Sequence, residues 1–98
     1  MNMRELQKAQ QKLMKMQQEL EESEFTGTAG GGAVTITING KFEPTAVKID
    51  PEAFSAEDIA DLEVMVLAAS KDAFNKVSEA QQKMMSSVTG GLRIPGMF

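Results

Sequence analysis

Apolar residues recur along this chain in two different rhythms. Over residues 3–24 they follow a 3-4-3-4 spacing, and Leu6, Ala9, Leu13, Met16 and Leu20 form one narrow stripe of an amphipathic helix. Glutamines 7, 10, 11, 17 and 18 cover much of the remaining surface. The helix is short for one standing free, so its stripe needs a partner surface. Over residues 33–39 the rhythm changes to alternation. Val34, Ile36 and Ile38 point one way and Thr35, Thr37 and Asn39 the other, which predicts a half-buried strand. Asn39-Gly40 is the favoured pair for a two-residue type I′ hairpin turn, with a return strand from Lys41 to Ile49. Pro44 cannot donate a ladder bond, so it marks an edge position or a bulge. A bulge also accounts for Phe42 being out of phase with Val47 and Ile49.

Between the helix and the alternating strand, Gly27, Gly30, Gly31 and Gly32 predict a flexible connection, with Phe25 and Thr26 opening a first short strand. Asp50-Pro51 closes the sheet. Ser55 then reads as an N-cap with Asp58 at the capping-box position. A long helix is expected from about Ala56 to Ser87, with Ile59, Leu62, Val66, Ala69, Ala73, Val77, Ala80 and Met84 within about 80° of one face. Gly90 and Gly91 stop it, and Leu92 to Phe98 form an apolar tail containing Pro95. The expected fold class is α+β in a single domain: N-terminal helix (1–24), three-stranded antiparallel sheet (25–50), long C-terminal helix (55–88) and tail (89–98).

Two physical consequences follow. A helix of about 32 residues is roughly 48 Å long, whereas a compact chain of this size has a radius of gyration near 13 Å. It must protrude or meet another chain. Around residues 62–69 it is also apolar on two sides, because Val64, Leu67 and Ala68 lie opposite the main stripe. One side takes the sheet. The other predicts either a homodimer interface or cover by the first helix of the same chain.

Composition narrows the chemistry. The chain has 98 residues, 10 Lys plus Arg against 14 Asp plus Glu, and a formal charge of −4. That argues against wholesale coating of nucleic acid but leaves room for a local basic patch. With no Cys and no His there is no disulfide framework, no thiolate chemistry and no imidazole base or ligand. No signal-peptide-like start or membrane-spanning stretch is present, so the expectation is a cytoplasmic protein with no membrane partner. GTAGGGA lacks the ending of a P-loop and reads as a mobile loop. Asp58 with Asp61, and Asp72 near Glu79, lie on a solvated helix face beside Lys71 and Lys76, so metal, cofactor and small-substrate chemistry are not expected and neither is an enzyme. Met14, Met16, Met84 and Met85 read as gap-filling core, or as an adaptable binding groove.

Charge also divides the first helix. Arg4, Lys8, Lys12 and Lys15 precede Glu19, Glu21, Glu22 and Glu24. Arg4, Lys8 and Lys15 fall within roughly 40° of arc, flanked by Lys12. The order opposes the helix dipole, so local stability does not explain it. A solvated face, a phosphate-contacting face and an interfacial membrane helix are the three readings; Gln-rich flanks and the acidic half weaken the last. Lys76, Lys83 and Arg93 make a sparser basic set on and beyond the second helix.

These segments, in this order, resemble the YbaB/EbfC family of bacterial nucleoid-associated proteins over almost the whole chain. The resemblance runs through the Met-, Gln- and Lys-rich opening helix, VTITINGKFEPTAVKIDPEAF, DLEVMVLAASKDAFNKVSEAQQKMMSSVTGGL and the RIPGMF ending. The IDP turn and TGGL-x-x-PG-x-F are its more specific pieces. It implies a tweezer-like homodimer with helices projecting from a sheet-containing body. It implies double-stranded DNA as partner, and a role in nucleoid organisation or gene regulation. By position it points to Arg4, Lys8, Lys12 and Lys15 as DNA-contacting residues, and then to Lys76 and Lys83. The alternative is a protein–protein adaptor using Met-rich helical arms.

Overall fold

The computed structural model describes residues 2–90, with side chains as far as Ser87, so the tail and Arg93 lie outside the described residues. The order is α1 (Met3–Glu22), β1 (Glu24–Ala29), a 3₁₀ turn (Gly30–Gly32), β2 (Val34–Asn39), β3 (Pro44–Ile49), a second 3₁₀ turn (Ala56–Asp58) and α2 (Ile59–Gly90). The strands form one antiparallel sheet in the order β1-β2-β3. This is the expected helix, three-stranded sheet and long helix.

The core follows directly from the alternation in β2. Val34, Ile36 and Ile38 are buried against Ala69, Ala73 and Val77 of α2, with Phe25, Leu62, Met65, Val66 and Phe74 packed around them. Small side chains on α2 let it approach the sheet closely. Gly27 of β1 completes that approach: a Cβ there would lie 2.2 Å from the Ala69 carbonyl oxygen and 2.3 Å from the Ala73 nitrogen. Gly27 is thus a packing glycine inside a strand, and the glycine segment is not the flexible connection its composition predicts. Helix and strand are joined by Ser23 alone, and Gly30–Gly32, all at positive φ, form the β1–β2 hairpin tip.

The second hairpin also departs from expectation. Gly40 is absent from the positive-φ residues, whereas a type I′ turn needs positive φ at both central positions. Instead Gly40, Lys41 and Phe42 form a three-residue loop with Phe42 left-handed at φ 63°. The Asn39 side-chain oxygen accepts from the Lys41 and Glu43 amides at 2.8 and 3.1 Å, and the Asn39 carbonyl accepts from the Phe42 amide at 3.0 Å. Phe42 stacks on Phe74 of α2, ring centroids 5.8 Å apart, which offsets its backbone strain. β3 therefore starts at Pro44. The expected bulge is present: Thr37 faces Ala46 and Ile38 faces Pro44, leaving Thr45 as the extra residue.

The two-sided apolar segment of α2 is not covered by α1. Val64 and Leu67 are 66% and 65% exposed. The base of α1 lies at the other end of α2, where Gly40 touches the Leu20 carbonyl and its own carbonyl accepts from Gln81. On the helix-facing side of edge strand β3, Val47 and Ile49, paired with Ile36 and Val34, are uncovered as well.

Candidate nucleic-acid interface

α1 is a projecting arm with a fixed base. Asn2 caps its start by accepting from the Glu5 amide at 2.8 Å. Residues 2–12 are all exposed, and only Leu13, Met16, Leu20 and Glu21 are partly buried. The helix ends at Ser23, whose amide and hydroxyl both donate to the Glu19 carbonyl at 3.0 and 2.7 Å. The Gly40 amide then donates to the Ser23 carbonyl at 3.1 Å. A Cβ on Gly40 would sit 1.8 Å from the Leu20 oxygen, so only glycine lets the hairpin loop come this close. Backbone contacts across α1, β1 and the hairpin thus set the direction of the arm.

On that arm Arg4, Lys8, Lys12 and Lys15 are exposed, and among the described residues none is paired with them by hydrogen bond or ion pair. Successive cations four residues apart are about 6 Å apart along the axis, close to two nucleotide rises of one strand of duplex DNA. Glu19, Glu22 and Glu24, exposed at the base, oppose a polyanion there. Positive charge is therefore concentrated on the outer half of the helix and negative charge at its base.

The second basic set is not equivalent. Lys83 is exposed on α2. The Lys76 ammonium donates to the Thr26 carbonyl of β1 at 2.6 Å and lies 3.6 Å from Asp72. Its charge is engaged in holding helix to strand. The carboxylates are likewise occupied structurally. Asp72 accepts from the Thr28 amide at 3.1 Å, and Asp58 accepts from the Ser55 amide and hydroxyl at 2.9 and 3.0 Å. Those bonds hold the Asp58 carboxyl below the ordinary aspartate range, the backbone bond contributing most. Among the described residues no cluster of His, Cys, Asp or Glu is arranged to hold a metal ion. The methionines divide: Met16 and Met84 are partly buried, whereas Met14 and Met85 are mostly exposed. Sequence reasoning missed Ser23 and Gly40 as the mount of the arm, because Asn-Gly carries a stronger turn signal than a packing one.

Comparison with known proteins supplies the biological frame. The YbaB/EbfC DNA-binding family profile matches residues 1–92. A nucleoid-associated protein of Clostridium novyi is 44% identical over 96 residues, covering 98% of this chain and 84% of its own length. One from Dictyoglomus turgidum is 42% identical over 97 residues, covering 98% and 93%. The crystal structure of an uncharacterised Helicobacter pylori protein superposes with a TM-score of 0.65 at 21% identity, covering 82% of this chain and 93% of that one, a likeness of fold. The chain belongs to the YbaB/EbfC DNA-binding family.

Proposed function

We propose that this protein binds double-stranded DNA as a homodimer in the bacterial nucleoid, where it organises the chromosome and modulates gene expression. The observation that carries the reading is the unpaired basic face on the outer half of α1, mounted on the body through Ser23 and Gly40. Arg4, Lys8, Lys12 and Lys15 make the phosphate contacts, and Lys83 adds a weaker one. Lys76 contributes little, because its ammonium is held by Thr26 and Asp72. The acidic base of the arm discourages indiscriminate binding. The homodimer is supported by the uncovered apolar residues Val64 and Leu67 on α2 and Val47 and Ile49 on β3.

A duplex-DNA titration at several salt concentrations tests this. With about six phosphates neutralised, the log-log salt slope is near −5. Reversing three charges, Lys8→Glu with Lys12→Glu and Lys15→Glu, lowers affinity about 100-fold or more at low salt. Equal binding by wild type and variant overturns the assignment to α1. The adaptor reading draws on exposed Met3, Leu6 and Met14 along the same arm. It requires binding to a protein that persists at high salt, with no binding to duplex DNA.

A further inference from the structure

The two edges of the sheet are protected by different means. β3 carries three features in its own sequence that discourage another strand from adding: Pro44, the bulge at Thr45 and exposed Lys48. β1 carries none of them. Its sequence is EFTGTA, its register with β2 is continuous from Glu24 to Ala29, and among the described residues no other strand lies beyond it. An unguarded edge of this kind is a template for sheet extension.

What occupies the β1 edge comes from α2. Gly27 lets α2 lie directly over β1, with Ala69 and Ala73 against the strand backbone. Asp72 and Lys76, one turn apart on the flank of α2, then reach the outward-facing backbone. Asp72 accepts the Thr28 N–H and Lys76 donates to the Thr26 carbonyl. The two side chains face each other at 3.6 Å, so each holds the other in place. Donor and acceptor are satisfied by the complementary charge, and both groups are ones an incoming antiparallel strand would need. We infer that Asp72 and Lys76 form a latch over the β1 edge, and that releasing it lets a second copy of this chain join edge to edge through β1. Thr26-Gly27-Thr28 is symmetric in residue type about Gly27, so two antiparallel copies match. This surface is separate from the uncovered faces of α2 and β3, and the inference stands without the DNA reading.

The test uses the full chain with Asp72→Ala and Lys76→Met combined. Amide hydrogen exchange is followed at dilute protein, and mass by light scattering over a concentration series. At low concentration the Thr28 amide exchanges about tenfold faster than in wild type or more. As concentration rises, a species larger than the wild-type assembly forms with helical content retained. Lys76→Arg, which keeps donor and charge, leaves the mass at the wild-type value. Adding Thr28→Pro to the double variant removes the outward N–H and returns the mass to wild type. Unchanged Thr28 exchange overturns the inference, as does a mass that tracks wild type at every concentration. Large species that survive Thr28→Pro, or that form only with loss of helical signal, overturn it too.

Discussion

Glycine has two different jobs in this chain, and the surroundings of each residue decide which. Gly27 and Gly40 have no room for a Cβ because helix backbone lies against them. Gly31 has open space around it but sits at φ 68°. Gly27→Ala and Gly40→Ala are expected to destabilise by about 3 kcal/mol, since backbone rather than a flexible side chain must move. Gly31→Ala is expected to cost about 1–2 kcal/mol of left-handed strain. Urea unfolding of the three variants decides the matter, and equal losses in all three contradict the packing role. None of this was legible in GTAGGGA or Asn39-Gly40, because the letter glycine records a missing side chain and not the reason it is missing.

At the scale of elements, the periodicities were informative and the junctions were not. Alternation in β2 and the apolar stripe of α2 marked the two surfaces that form the core, down to Val34, Ile36, Ile38, Ala69, Ala73 and Val77. The pairing of Ser55 with Asp58 at the start of α2 was also legible, since a capping box is local in sequence. It brings a pH dependence. Hydrogen bonds from Ser55 lower the folded-state pKa of Asp58, so its contribution is present above the ordinary aspartate value and is lost as pH falls through the lowered folded value. Asp58→Asn is therefore expected to be less stable than wild type at pH 7, with the gap closing as pH drops below about 4. Thermal unfolding across pH 2–7 measures this (values spanning the ordinary carboxylate range), and a gap that widens on acidification contradicts it. The α1–β1 junction was illegible because it is built from Ser23 and Gly40, distant in sequence and joined by backbone contacts.

At the scale of the molecule, the chain is too elongated to bury its own apolar surface. Its radius of gyration is 18.9 Å and its extents are 65 × 27 × 16 Å, against about 13 Å for a compact chain of this length. Val64 and Leu67 on α2 and Val47 on β3 remain uncovered. Stable interfaces take about 800 Å² per partner, with an apolar centre of this kind. Val64→Glu combined with Leu67→Glu is expected to halve the mass in light scattering with helical content retained, because neither residue belongs to the core. DNA affinity is expected to fall about tenfold or more as one of two linked arms is lost. A variant that keeps the wild-type mass rules out this face as the homodimer contact.

By itself, the sequence determined where helices and strands lie, which faces are apolar, and that the basic residues of α1 share one side. Those properties repeat within a few residues of the chain, and backbone geometry converts spacing into direction. Tertiary structure alone decided that Lys76 is tied to Thr26 and Asp72 while Arg4, Lys8, Lys12 and Lys15 are not. It also decided that Gly27 admits α2 and that Gly40 fixes the arm. A lysine has the same letter and charge in either place. Whether that charge is available to a partner depends on which backbone folding brings within reach of its ammonium, here a carbonyl 50 residues away in sequence.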